Sequence, residues 1–152
     1  MSRNLAASIR ARLKQRADAA KQDFNLTLTH YGLERLLYRL SISPHAANYL
    51  LKGALLFSLW YDQPHRPTRD ADLLGFGPDD LDTSVSAFRE ICLVTANDGI
   101  AFDPAPVKAS VIRRKRVTAA YASTCRRSWT VLASRCKWTS VSAMRSRQRL
   151  NR

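Results

Sequence analysis

The sequence predicts an α+β fold with N-terminal helices, a small sheet and an irregular C-terminal tail. Leucines at positions 33, 36, 37 and 40 recur at the helical period, so residues 25–40 are expected to form an amphipathic helix with Arg39 on its exposed side. Residues 70–74 have a strand pattern closed by Gly75, and residues 100–102 and 108–112 alternate as half-buried strands do. Beyond residue 112 the periodicity ends.

Three further helices are expected. The first lies near the N-terminus, where Leu5, Ile9 and Leu13 are interspersed with basic residues whose face either contacts RNA or is simply solvated. The second is the apolar run at residues 54–61, which ends at a Pro-containing loop. The third begins at Pro78. The acidic residues of its first turn complement the helix dipole and are expected to be caps rather than metal ligands: Asp79, Asp80 and Asp82.

Asp70 and Asp72 lie two residues apart in the predicted strand. Residues at that spacing point to the same face, so the two carboxylates are expected to project side by side. Adjacent carboxylates repel unless positive charge lies between them, and Mg²⁺ typically takes one or two carboxylates together with substrate phosphates. The pattern favours a metal-dependent phosphoryl- or nucleotidyl-transfer site. The alternative is two solvated carboxylates at a strand end.

Lys52, Gly53 and Arg69 flank this pair in the sequence. The Lys-Gly pair immediately precedes the apolar run at residues 54–61. Glycine lets the backbone approach a ligand closely, and a helix N-terminus presents free N–H groups to phosphate. Lys52 adds a positive charge for a triphosphate. Arg69 either pairs with the carboxylates or contacts a phosphate.

The order of Lys52-Gly53, apolar helix, short turn and Arg69-Asp70-Ala71-Asp72 resembles the AbiEii/AbiGii-type toxins, nucleotidyltransferase-fold proteins related to DNA polymerase beta. The resemblance covers roughly residues 23–112. Ala54 is a departure, since many members have a second Gly or a Ser there. The resemblance implies a nucleotidyltransferase-like mixed sheet, incomplete in this chain. It also implies that Asp70 and Asp72 are catalytic and bind metal, and that Lys52, Gly53 and Arg69 bind nucleotide.

The same resemblance implies cofactors and partners. Such a protein uses Mg²⁺ or Mn²⁺ and a nucleoside triphosphate, and RNA is the candidate acceptor of the nucleotidyl group. It acts as the toxin of a type IV, AbiE-like toxin–antitoxin system in abortive phage infection. A cognate antitoxin is therefore an expected partner.

The net charge of +13 is concentrated at one end of the chain. Residues 1–103 hold all twelve acidic side chains and twelve Lys or Arg, whereas residues 104–152 hold the other thirteen Lys or Arg. Strong basicity is typical of nucleic-acid binding. The alternative function is therefore a non-enzymatic nucleic-acid-binding protein that uses this Arg-rich tail. Its affinity would fall steeply with salt and would not depend on Mg²⁺ or on Asp70.

Location is inferred from what the sequence lacks. Its three cysteines have no metal-ligand spacing, and no apolar stretch is long enough to span a bilayer. The first residues have no apolar signal core. A cytoplasmic location without membrane association is expected.

The last forty residues have the composition of an out-of-frame translation. Residues 113–152 contain no Gly, Pro, Asp or Glu, which is unusual for a folded segment. A shifted frame takes the last base of each codon with the first two of the next. In that frame Trp138 followed by Thr139 encodes Asp, because Trp has a single codon. The same frame allows LQVDVGFGDAVTPA across residues 135–149 and YGGVRVHLPA across residues 117–126.

This hypothesis divides the chain into a partial nucleotidyltransferase domain at residues 1–112 and a basic, out-of-frame and poorly ordered tail at residues 113–152. The superfamily completes its metal site with a third carboxylate on a neighbouring strand. The Asp that Trp138-Thr139 replaces is the candidate. The chain as given is then expected to be a truncated and inactive fragment.

Overall fold

The computed structural model describes residues 3–56, 68–76, 80–109, 120–129 and 132–142. Within these ranges lie the helices α1 (Arg3–Ala19), α2 (Phe24–Ser41) and α3 (Leu81–Leu93). The strands are β1 (Tyr49–Lys52), β2 (Asp70–Gly75), β3 (Ala101–Asp103), β4 (Ala120–Trp129) and β5 (Leu132–Ser142). No helix in the described ranges has the length and apolarity needed to cross a bilayer.

The strands form one five-stranded sheet in the order β1-β2-β5-β4-β3. β2 and β5 run parallel, and the other neighbouring pairs are antiparallel. The predicted α+β class with a mixed sheet is therefore confirmed. β1 lies at one edge of the sheet, next to β2. Gly53, which directly follows β1, therefore lies close to β2.

One face of β2 lies against the helices. Ala71 and Leu73 are 0% and 1% exposed, and they belong to a core that includes residues of α2 and α3. Tyr49 and Leu51 of β1 pack against the same core. Because side chains alternate along a strand, the opposite face of β1 and β2 carries the residues between these positions. Those residues are Leu50, Lys52, Asp70, Asp72 and Leu74.

The predicted helix at residues 25–40 is confirmed as α2, but the prediction that Arg39 faces solvent is wrong. Arg39 is 1% exposed and forms a two-pronged ion pair with Asp98, with N–O distances of 2.7 and 3.0 Å. Its guanidinium also donates to the carbonyl oxygens of Arg35, Val94 and Ile100. These bonds satisfy a charge that burial would otherwise penalise heavily.

The N-terminal end of α3 confirms the capping prediction for Asp80. This carboxylate accepts from the backbone amide of Thr83 at 2.9 Å and from its hydroxyl at 2.6 Å. The hydroxyl and amide of Thr83 lower the pKa of the Asp80 carboxyl below its usual value. Asp82 lies in the first turn of the helix, and Asp79 lies outside the described residues.

Two predicted elements are described only in part. Residues 54–56 are helical, and the remainder of the helix expected at 54–61 lies outside the described residues. The first two residues of the strand expected at 108–112 are not in a strand, and the other three lie outside the described ranges. The strand expected at 100–102 is confirmed as β3, one residue further along.

The prediction of an irregular tail is corrected for two segments, because β4 and β5 both lie beyond residue 112. β4 pairs with β5 over its whole length, from Ala120 opposite Val141 to Trp129 opposite Leu132. A strand ladder joins backbone groups, so it does not require the polar and apolar alternation that the tail lacks. It does require that proline be absent from the interior, and this tail has none.

Candidate functional site

Asp70 and Asp72 share the face of β2 that is turned away from the core. Asp70 is exposed and Asp72 is half-buried, whereas Ala71 between them is fully buried. The predicted side-by-side arrangement is therefore confirmed. No ion pair in the described part of the chain involves either carboxylate. Two adjacent carboxylates on one face create a negative field suited to a cation.

Lys52 lies directly across from Asp72. The two residues are register partners in the antiparallel pairing of β1 with β2, so their side chains lie on the same face of the sheet. Lys52 is half-buried. The sheet thus brings together two residues that are distant in the sequence and puts a basic residue on the same face as the carboxylates.

Gly53 follows Lys52 with a φ of 77°, in the left-handed region that favours glycine. An added Cβ would overlap Oδ2 of Asp72 and would lie 3.1 Å from its Cβ and Cγ. The amide of Leu56 donates to the carbonyl of Gly53 at 3.1 Å, so a helical turn begins here. The glycine therefore allows the start of this turn to contact the Asp72 side chain directly.

Arg69 is exposed and immediately precedes β2. Within the described residues it forms no ion pair with Asp70 or Asp72. Of the two interpretations of Arg69, a structural ion pair with the carboxylates is therefore not observed. The arginine is exposed and remains next to the pair in the sequence.

Thr68 and His30 contact the backbone next to Asp70, and the sequence did not indicate this role for either residue. The Thr68 hydroxyl donates to the carbonyl of Asp70 at 3.1 Å and accepts from its amide at 3.3 Å. The carbonyl of Thr68 lies 2.7 Å from Nε2 of His30 on α2. These residues are 38 positions apart, and no local pattern in the sequence indicates that they meet.

β5 provides the other neighbour of β2. Asp70 is opposite Lys137, Ala71 is opposite Trp138 and Asp72 is opposite Thr139 in this parallel pairing. The position at which the shifted frame encodes Asp is therefore next to Asp72 in the backbone register. Among the described residues, no group of three His, Cys, Asp or Glu side chains is placed to hold a metal ion. Asp70 and Asp72 fit a cation that completes its coordination with water and phosphate.

Comparison with known proteins supports the resemblance on which the site residues were chosen. Residues 35–129 match the model of the family described as nucleotidyl transferase AbiEii toxin, type IV TA system. The match includes Lys52, Gly53, Asp70 and Asp72, and it continues beyond residue 112 to the end of β4. No curated protein and no solved structure gave a significant match. Because the matched segment covers more than half of the sequence, the chain belongs to the AbiEii nucleotidyl transferase toxin family of type IV toxin–antitoxin systems.

Proposed function

We propose that the face carrying Lys52, Asp70 and Asp72 is a nucleotidyl-transfer site. Asp70 and Asp72 hold Mg²⁺ or Mn²⁺, Lys52 and the backbone at Gly53 contact the triphosphate, and Arg69 assists there. The proposal is supported above all by the register that puts Lys52 opposite Asp72, with Gly53 against the Asp72 carboxylate. Family membership implies nucleotidyl transfer from a nucleoside triphosphate with a divalent cation.

Each residue has a distinct task in this proposal. The carboxylates fix the position of the cation, which when bound neutralises phosphate charge as it develops. Lys52 supplies a point charge to phosphate oxygens. The absence of a side chain at Gly53 leaves room between the helical turn and Asp72. Holding these groups in place before the substrate arrives favours an in-line arrangement of the reacting atoms.

RNA is the proposed acceptor, and the type IV family implies a cognate antitoxin as partner. A role in phage defence and a cytoplasmic location are further parts of the proposal. The acceptor can be tested by incubating the protein with a radiolabelled nucleoside triphosphate and total RNA. In the protein restored to the shifted reading frame, label that becomes RNA-linked and is absent with Asp72→Asn would support the assignment, and label on protein alone would contradict it. The present chain, which we propose to be a truncated and inactive fragment, should transfer no label.

Metal binding is the direct test of the carboxylate pair. Mn²⁺ titration followed by electron paramagnetic resonance should detect weak binding to wild type, and Asp70→Asn should remove it. The matched control is Asp103→Asn, a carboxylate of β3 at the opposite edge of the sheet. Equal Mn²⁺ affinity of wild type and Asp70→Asn would show that the pair is only a solvated strand end.

The shifted reading frame is a separate proposal. Restoring one base near the codons for residues 112–114 is expected to encode an Asp at the position of Trp138-Thr139, beside Asp72 in the register of β5. This third carboxylate would complete the ligand set, so the restored protein should bind Mn²⁺ more tightly than the present chain. Sequencing the locus decides the matter, since a stop within a few codons of the corrected frame rules out the frameshift.

The concentration of basic charge in residues 104–152 favours a second candidate, salt-sensitive nucleic-acid binding. Measuring RNA affinity at several salt concentrations, with and without Mg²⁺, distinguishes the nucleotidyltransferase from a basic nucleic-acid-binding protein. A steep salt dependence that Mg²⁺ and Asp70→Asn leave unchanged would favour the basic tail. A dependence on Mg²⁺ that Asp70→Asn abolishes would favour the transferase.

A further inference from the structure

His30 contacts the backbone directly before the carboxylate pair. Its Nε2 lies 2.7 Å from the carbonyl oxygen of Thr68, and the contact is partly buried. A carbonyl oxygen can only accept, so Nε2 carries the proton and donates. This bond joins α2, which belongs to the core layer, to the segment that leads into β2.

Asp70 and Asp72 are held in different ways by the sheet. The pairing with β1 extends from Tyr49 opposite Gly75 to Lys52 opposite Asp72 and goes no further. Asp72 therefore has a strand partner on both sides, whereas Asp70 is paired only with β5. On the open side, the hydroxyl of Thr68 bonds to both the amide and the carbonyl of Asp70. Thr68 thus takes the place of the missing strand partner.

From this arrangement we infer that His30 is a positioning residue for Asp70, acting through Thr68. The inference rests on the proposed function, because it concerns how the proposed metal-binding carboxylates are oriented. The His30 bond fixes the Thr68 carbonyl, the Thr68 hydroxyl fixes the Asp70 backbone, and the Asp70 carboxylate is thereby held beside Asp72. Residues that orient metal ligands in this way contribute to affinity without touching the ion.

The test compares two replacements of His30 by Mn²⁺ titration. In His30→Gln the side-chain amide nitrogen lies near the position of Nε2 and can still donate, whereas in His30→Asn it is too short to reach. His30→Asn should weaken Mn²⁺ binding by about two- to tenfold, the range for one hydrogen bond. His30→Gln should stay within about twofold of wild type. His45→Asn is the matched control, because His45 pairs with Glu90 at 2.8 Å, away from this segment.

Amide hydrogen exchange gives a readout that global destabilisation would not reproduce. His30→Asn should speed exchange at the Asp70 amide more than at core amides such as Leu73. Thr68→Val gives a second route if His30→Asn does not fold, since it removes both hydroxyl contacts to Asp70 and leaves α2 intact. It should also weaken Mn²⁺ binding.

The outcomes separate this inference from the proposed function. If Asp70→Asn weakens Mn²⁺ binding but His30→Asn and Thr68→Val do not, the positioning role is overturned and the metal site stands. If His30→Gln is as impaired as His30→Asn, the hydrogen bond is not the cause and the inference fails. If Asp70→Asn itself has no effect on Mn²⁺ binding, the proposed function fails first.

Discussion

Asp98 and the pair Asp70 and Asp72 lie in opposite surroundings within one small fold. Asp98 is 6% exposed and bonds through both oxygens to the buried guanidinium of Arg39. Its Oδ1 also accepts from the amide of Ile100 at 3.2 Å. Asp70 and Asp72 lie on the sheet face away from the core, with no ion pair among the described residues.

Asp98 has a structural role in the fold, whereas Asp70 and Asp72 lie on a face where a ligand could reach them. A buried charge persists only when paired and hydrogen-bonded, so the Asp98 arrangement is explained by stability alone. Asp70 and Asp72 form no ion pair among the described residues, and adjacent carboxylates repel each other. A cation held between them, as proposed for this face, would offset that repulsion.

The largest expected effect is at Asp98. Asp98→Ala leaves the Arg39 guanidinium buried without its counter-ion, so the free energy of unfolding should fall by about 3–5 kcal/mol. Urea denaturation measures this change. The matched control is the double variant Arg39→Met/Asp98→Leu, in which apolar side chains replace the whole pair. It should be much closer to wild type. A loss below about 1 kcal/mol in the single variant would contradict the structural role.

Gly53→Ala should have the next largest effect. Forcing a non-glycine residue into the left-handed region typically costs about 1–3 kcal/mol, and the new Cβ must also displace the Asp72 carboxylate. Both unfolding free energy and Mn²⁺ affinity should therefore fall. Gly75→Ala is the control, since its Cβ would be in ordinary contact at 3.6 Å with the Tyr49 ring. Equal Mn²⁺ affinity of Gly53→Ala and Gly75→Ala would show that Gly53 is not part of the metal site.

Asp70→Asn should leave stability almost unchanged. The side chain is exposed, and surface substitutions of this kind usually alter the free energy of unfolding by no more than about 0.5 kcal/mol. Relief of repulsion from Asp72 favours a small gain. Thermal unfolding without metal measures it. A clear destabilisation would mean that Asp70 has a structural role like that of Asp98, and the contrast between them would disappear.

Asp80 gives the smallest expected effect and adds a pH test. Its hydrogen bonds from Thr83 lower its pKa in the folded state. The stability it contributes is therefore present above the unfolded pKa and is lost as the pH falls through the lower, folded pKa. Asp80→Ser keeps a capping oxygen but does not titrate. The difference in unfolding free energy between wild type and Asp80→Ser should shrink in acid. A difference independent of pH would show that the charge of Asp80 does not contribute to capping.

Fold class and the orientation of the carboxylates were predictable because both depend on local backbone geometry. The leucine period identified α2, and the two-residue strand period put Asp70 and Asp72 on one face. The capping role of Asp80 was likewise visible from its position at the start of a helix. The functional roles of Lys52, Gly53 and Arg69 were drawn from resemblance and stay predictions.

Two errors came from assuming that local pattern decides burial and strand formation. Arg39 follows the polar side of the leucine helix in sequence, yet the loop at residues 94–100 closes over it and supplies Asp98. The tail beyond residue 112 lacks periodicity, yet β4 and β5 find partners in β3 and β2. A buried charge and a strand ladder both depend on groups distant in sequence, which a local pattern does not contain.

The family resemblance, the α+β class and the shared face of Asp70 and Asp72 follow from the amino-acid sequence alone, because period and motif order are local properties of the chain. Only the tertiary structure placed Lys52 opposite Asp72, joined His30 to Thr68 and buried the Arg39–Asp98 pair. Each of these contacts joins residues far apart in the chain. Such contacts form where packing of the helices and the sheet satisfies backbone and charged groups together, and no single segment specifies that packing.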